Sequence, residues 1–282
     1  MNENKNQTEG INAGASPLAG IVGGQGRMGR WFERFFKKAG LSVLIADKDT
    51  ELSAEDIAMK CDVVVLSVPM EVFPEVVKRI GPLLPEDAFL TDLCSLKQEQ
   101  VALMLRHSRC EVAGTHPLFG PSEESIKRRR VAICPGRGKR WLIWWEGLLK
   151  NSGALTHIVD PALHDRAMAW VQALNHFLCL SLGKALERDG IDLKEILALA
   201  TPSFERQMGI VARLTHQDPG LYAYIQMANP YAVEALKTFS EQAESIHKII
   251  IDNNVESFNK IFKDVQAMGR ALLSYEGEGS IH

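Results

Sequence analysis

The chemistry in this chain starts at Gly23-Gly24-Gln25-Gly26-Arg27-Met28-Gly29, which follows the apolar run Ala19-Val22 and precedes an amphipathic stretch carrying Trp31, Phe32, Phe35, Phe36 and Ala39. Gly24, Gly26 and Gly29 have G-x-G-x-x-G spacing. The first glycine of such a loop permits a tight turn, the second lets a pyrophosphate reach the backbone, and the third lets helix and strand pack closely. Phosphate would then rest on unpaired N–H groups at the positive end of the helix dipole. Asp47 closes the next apolar run 23 residues after Gly24. A carboxylate there accepts hydrogen bonds from the adenosine ribose and repels a 2′-phosphate, which favours NAD over NADP, with Lys48, Lys37 and Lys38 pulling the other way. The cofactor-binding set expected is Gly24, Gln25, Gly26, Arg27, Met28, Gly29 and Asp47, together with Ser67 and Pro69. The competing reading is a glycine turn beside a surface aspartate.

Two further segments end strand-like runs: Asp92-Leu93-Cys94-Ser95-Leu96-Lys97 and Gly114-Thr115-His116-Pro117-Leu118-Phe119-Gly120-Pro121. Open parallel sheets bind ligands at the carboxyl ends of their strands, so Ser95 and His116 are expected to face one crevice. A histidine held there by Pro117 titrates near neutrality and can act as a base; a structural histidine is the alternative. His164-Asp165 reads as an end-capping pair at the start of a long helix, with Asp165 near the positive dipole end. His176, surrounded by apolar residues, is either a core histidine or a polar group aimed into an interdomain crevice. Arg206 and Arg213 are two helical turns apart and can share a face. Either is solvated at the surface or grips a substrate carboxylate through two parallel hydrogen bonds. His107, His157, His216 and His247 lack metal-ligand spacing, and no metal is expected. Cys94 reads as a small buried residue rather than a nucleophile.

The elements that must position these groups follow from the texture of the chain. Of 282 residues, 46% are hydrophobic and 24% charged, with a net charge of -3, which describes a globular protein with no general electrostatic pull toward nucleic acid or anionic lipid. No window of 18 uninterrupted apolar residues suggests a membrane span. The five cysteines are scattered singly, which suits reduced thiols and a cytoplasmic location. Residues 1–17 and 275–282 read as tails. Between 18 and 160, short apolar runs alternate with helix-length amphipathic stretches, as in a parallel sheet covered by helices on both faces. The expected strands are Ala19-Val22, Ser42-Ala46, Asp62-Val68, Ala88-Thr91, Glu111-Gly114, Val131-Cys134 and Thr156-Val159. From 161 to 274 the spacing is helical, beginning with one long helix over Leu163-Glu187. The fold class expected is therefore an α/β Rossmann-type doubly wound sheet followed by an all-helical domain. So apolar a helical half points to homodimerisation through it.

Taken in order and spacing, these segments resemble the prephenate dehydrogenase family. The marks are the glycine loop with Asp47, Asp92 to Lys97, Gly114 to Gly120, His164-Asp165, Gln172-Ala173-Leu174-Asn175-His176-Phe177, Thr201-Pro202, Ala212-Arg213-Leu214, Gln217-Asp218-Pro219 and Leu221-Tyr222-Ala223. The resemblance implies oxidative decarboxylation of prephenate to 4-hydroxyphenylpyruvate with hydride transfer to NAD, in tyrosine biosynthesis. It further implies that His116 takes the C4 hydroxyl proton, that Ser95 orients His116 and the hydroxyl, and that His176 lines the substrate pocket. Arg213 would grip a substrate carboxylate, with Tyr222, Glu205 and Arg206 also at the substrate. Glu205 departs from the family: relatives fused to a chorismate mutase domain carry arginine there. That change keeps the amino analogues arogenate and 4-amino-4-deoxyprephenate in view. Two other readings are a non-catalytic dinucleotide-binding sensor and a related reductase; the latter fits less well, because such enzymes place a lysine on the long helix and Lys184 lies eight residues beyond His176.

Overall fold

The run Val63-Val64-Val65-Leu66 shows how the sheet is built. All four side chains are fully buried, yet they divide by parity: Val63 and Val65 join one apolar cluster, Val64 and Leu66 the other. A strand points successive side chains to opposite faces, so an unbroken apolar run is stable only when both faces are covered. The computed structural model describes residues 16–275. Nearly all of the two expected tails lies outside the described residues.

Seven strands occur within or next to the expected positions: β1 (Ala19–Val22), β2 (Val43–Ala46), β3 (Val63–Leu66), β4 (Phe89–Asp92), β5 (Glu111–Pro117), β6 (Arg130–Arg137) and β7 (Leu155–Ile158). They form one sheet in the order β2-β1-β3-β4-β5-β6-β7. One face is covered by α1 (Arg27–Lys38) and α5 (Arg140–Asn151), which bring Trp31, Phe32, Phe36, Trp141 and Trp145 into a single aromatic core. The other face takes α2 (Ala54–Lys60), α3 (Phe73–Ile80) and α4 (Gln98–His107), with Ile57, Phe73, Val77 and Met104. The chain leaves β1 toward β2 and returns to β3 on the other side of β1. Such a switch point opens a crevice above the carboxyl ends of the strands.

Two expectations need correction. The sheet is not wholly parallel: β6 runs antiparallel to β5. No helix lies between Pro117 and Arg130 to carry a crossover, and a direct return can pair only in the antiparallel sense. The long helix is not continuous either. α6 (Pro161–Met168) and α7 (Asn175–Asp189) are joined by a π-helical turn over Ala169–Leu174. Gln226 donates to the Ala173 carbonyl at 2.8 Å, a side chain inserted at the ladder where the winding widens.

The helices continue with α8 (Leu193–Ala198), α9 (Pro202–Ala212), a 3-10 turn over Arg213–His216 and α10 (Pro219–Ala228). The described chain falls into two compact units, dividing between Ala232 and Val233. The first holds the sheet and every helix through α10. The second consists of α11 (Ala232–Ile251) and α12 (Val255–Tyr275). On α12 the exposed apolar residues Phe258, Phe262, Val265 and Leu272 recur at helical spacing. No helix among the described residues is long and apolar enough to cross a membrane.

Candidate active site

The glycine loop is shaped by close backbone approach. Gly23 has φ of 82°, a conformation that favours glycine, and Gly23 and Gly24 both donate to the Ala46 carbonyl, at 2.8 and 3.2 Å. A Cβ on Gly29 would stand 2.3 Å from the Gly23 oxygen and 2.8 Å from Gly24 Cα, and one on Gly24 would meet Ile45 at 2.6 Å. Gly26 occupies the N-cap of α1 without a side-chain cap, and the first turn carries no acid. Its leading N–H groups therefore present a donor surface to an incoming anion. Asp47 reaches the same loop, accepting from the Gln25 N–H at 2.9 Å and the Lys48 N–H at 2.8 Å. Ser67 extends β3 to the loop: its N–H bonds the Val22 carbonyl at 2.8 Å, and its own carbonyl would touch a Cβ on Gly23. Pro69 opens the turn into α3 through its carbonyl, which accepts from Val72 at 3.2 Å. Arg27 donates to the His216 carbonyl at 3.3 Å, and Met28 packs on the aromatic core.

At the carboxyl end of β4 the structure buries a charge pair that motif spacing did not disclose. Lys97 and Asp92 are wholly inaccessible and bonded to each other. Lys97 Nζ also donates to the Thr115 carbonyl at 2.9 Å, and Asp92 accepts from the Cys94 N–H at 2.9 Å and the Thr115 N–H at 3.3 Å. Thr115 Oγ1 joins Thr91 Oγ1 at 2.8 Å and accepts from Trp145 Nε1 at 2.9 Å. The residue before His116 is thus fixed through its N–H, carbonyl and hydroxyl.

His116 is 3% exposed, with Nδ1 3.0 Å from His164 Nε2 and Nε2 3.4 Å from the Gln172 amide nitrogen. His164 Nδ1 lies 2.7 Å from Asp165 Oδ1. Asp165 in turn accepts from the backbone N–H of Lys97 at 2.8 Å and of Gln98 at 2.9 Å, at the start of α4. Burial, reinforced by the nearby His164 and Lys97, holds the His116 pKa well below the usual 6.5, so its imidazole is neutral near pH 7. The reading of His164-Asp165 as a cap for their own helix is overturned. Asp160 fills that role, accepting from Ala162 at 2.9 Å and Leu163 at 3.1 Å, and His164 and Asp165 turn inward at 2% and 1% exposure. A signal was present: a second acid soon after an already well-capped Asp-Pro start is redundant for capping.

The other expected residues divide into two sets. His176 stacks on Tyr222 with ring centroids 4.0 Å apart, and its buried Nδ1 has no partner among the described residues. Burial lowers the His176 pKa and raises that of Tyr222, where the Arg213 charge partly opposes the shift, so Arg213 belongs to the same neighbourhood. Glu205 and Arg206 are exposed on α9 and bonded to neither group. Ser95 is half-buried after β4. No hydrogen bond joins it to His116, whose Nδ1 is bonded to His164. Cys94 is buried with its pKa raised well above 9.0, chiefly by desolvation, which makes it a poor nucleophile. No cluster among the described residues suits a metal ion.

Sheet, glycine cradle and buried histidine define a nucleotide-binding α/β protein with a helical extension. The prephenate dehydrogenase nucleotide-binding domain model matches residues 32–157, and the prephenate dehydrogenase dimerization domain model matches 160–264. A probable arogenate/prephenate dehydrogenase of Methanocaldococcus jannaschii is 35% identical over 263 residues, covering 86% of this chain and 59% of its own length. A T-protein of Haemophilus influenzae is 31% identical over 265 residues, covering 94% of this chain and 70% of its own. The chain thus spans only about three-fifths of the first relative. The crystal structure of A. aeolicus prephenate dehydrogenase with hydroxyphenyl propionate and NAD+ superposes with a TM-score of 0.73 at 21% identity, covering 93% of this chain and 100% of that one, and so shares the fold. The chain belongs to the prephenate dehydrogenase family.

Proposed function

We propose that the protein is an NAD-dependent decarboxylating dehydrogenase acting on prephenate, with His116 accepting the C4 hydroxyl proton. The observation that carries this reading is His116 itself. It is a neutral, buried imidazole at the carboxyl end of β5, with Nε2 facing only an amide donor. A base needs that unprotonated nitrogen and a fixed direction.

The cradle fits a dinucleotide: Gly24 and Gly29 let the loop close on Ile45 and on the Gly23 backbone, and Gly26, where an added Cβ would meet only the Gly23 and Ser67 oxygens at 3.2 and 3.9 Å, leaves the backbone bare for a pyrophosphate. Gly24, Gln25, Gly26, Arg27, Met28 and Gly29 would hold the pyrophosphate, Asp47 the ribose, and Ser67 and Pro69 would border the remainder. NAD, when bound, supplies the hydride acceptor. The chain's own residues position and deprotonate. Arg213 grips a carboxylate, the stacked His176 and Tyr222 offer a flat wall, and Ser95 faces the hydroxyl. His116 draws the proton from the C4 oxygen as hydride leaves C4. Loss of the ring carboxylate as carbon dioxide then makes the ring aromatic, so the protein must mainly orient reactants.

The same chemistry on an amino analogue is the second reading. The M. jannaschii relative bears both the arogenate and the prephenate names, and Glu205 stands exposed on α9 as a carboxylate suited to a cation. NADH formation measured with prephenate, arogenate and 4-amino-4-deoxyprephenate decides between them. Preference for prephenate supports the first reading, and preference for an amino substrate supports the second. Silence with all three overturns both in favour of a nucleotide-binding sensor. The apolar stripe on α12 further supports a homodimer as the working assembly, and the family's reaction supports a cytoplasmic one.

A further inference from the structure

We propose that His164 and Asp165 are positioning residues for the reaction: they lock His116 in the tautomer that leaves Nε2 bare, and they stabilise the imidazolium formed there. The inference rests on His116 being the proton acceptor.

The direction of the chain follows from its far end. Both oxygens of Asp165 accept backbone N–H groups, and a carboxylate so held can only accept. The nitrogen facing it, His164 Nδ1 at 2.7 Å, must therefore carry a proton. A neutral His164 then has a bare Nε2, and its partner at 3.0 Å, His116 Nδ1, must donate. That leaves His116 Nε2 without a proton. Gln172, with its amide nitrogen 3.4 Å from this atom, is in place to donate to it. Reversing the order would place two N–H groups face to face or require a protonated Asp165.

Burial gives the chain its effect. His116, His164 and Asp165 are each no more than 3% exposed, so solvent cannot re-orient the imidazole or screen the charge. The charged or titratable groups facing His116 are His164, with Asp165 behind it, and Lys97, which is neutralised by Asp92. When the hydroxyl O–H breaks, an N–H forms at His116 Nε2, and the O–H electron pair becomes part of the C4 carbonyl as hydride departs. The new imidazolium keeps its Nδ1–H on His164, and its charge is balanced by Asp165 through two hydrogen bonds. Capping of α6 does not account for the pair, because Asp160 already caps it, and the hold of Asp165 on the start of α4 does not account for His164.

Asp165→Asn tests the idea. An asparagine can still accept from α4 while its amide donates to His164 Nδ1, which reverses the chain and puts a proton on His116 Nε2. The expected result is a loss of roughly 10²–10⁴-fold in kcat, as when the buried acid behind a catalytic histidine is neutralised, with NAD affinity unchanged. His164→Gln, whose side-chain oxygen can accept from His116 Nδ1–H, should retain more activity than His164→Leu; equal losses would point to packing alone. Nitrogen-15 spectra of histidine-labelled protein read the tautomers without turnover. Protons on Nδ1 of both His116 and His164 support the proposal, and a proton on His116 Nε2 in the unaltered protein overturns it. This readout decides the matter even if Asp165→Asn fails to fold. If Asp165→Asn turns over at nearly the native rate while His116→Asn does not, positioning fails and the base assignment stands. If His116→Asn itself stays active, the functional reading beneath it has failed.

Discussion

The glycine loop and the histidine chain lie on the same edge of one sheet and are built in opposite ways. The loop works through what is missing: at Gly24 and Gly29 a single Cβ would collide with Ile45 or with the backbone of Gly23 and Gly24. Its groups lie within one short segment plus Asp47 and Ser67. The histidine chain works through buried polar side chains that satisfy one another, drawn from β5, α6 and the start of α4. A site made of backbone and absence tolerates change in its surroundings but no added side chain. A site made of buried polar partners fails when any partner loses its complement.

The largest expected effect comes from breaking a buried partnership. Lys97→Met leaves Asp92 inaccessible without its cation, at a cost of roughly 3–5 kcal/mol of folding stability. Urea denaturation reads this directly, and a loss under about 1 kcal/mol would mean that the N–H groups of Cys94 and Thr115 alone suffice. The cradle should behave differently. Gly29→Ala must displace the Gly23 carbonyl and is expected to weaken NAD binding at least tenfold, about 1.4 kcal/mol, while the near-ultraviolet signature of the aromatic core persists. Titration calorimetry checks it; unchanged affinity would show that the loop yields.

A smaller effect separates the two regions by pH. The folded pKa of His116 lies below the unfolded value near 6.5, with burial the main cause. The native state therefore binds this proton less readily than the unfolded state. The stability it confers is present above pH 6.5 and declines as pH falls from there toward the native pKa. The acid limb of kcat/KM should likewise lie below 6.5, and Gly29→Ala should not move it. A limb at or above 6.5 would contradict a buried, neutral His116.

This contrast also explains what could be read from the chain. The loop, Asp47 and the seven strands were legible because each is written in adjacent residues, such as Val63 to Leu66. His116 lies near the carboxyl end of β5 and Ser95 three residues past β4, but neither segment names the partner of His116. His164 is distant from it in sequence, and Asp165 reaches further still, to the backbone of Lys97 and Gln98. A pattern along the chain carries no record of which buried donor meets which acceptor. Lys97 read as the polar end of a motif, yet its 0% exposure follows only from β4 and β5 lying side by side. The reversal at β6 and the π turn at Ala169–Leu174 are likewise tertiary in origin, set by strand pairing and by Gln226.

The most direct measurement is turnover of prephenate by His116→Asn, with NAD affinity titrated on the same preparation. The account predicts a fall of roughly 10²–10⁴-fold in kcat, the share a positioned base contributes, with NAD binding intact because the cradle lies elsewhere on the sheet edge. Turnover close to that of the unaltered protein would contradict it.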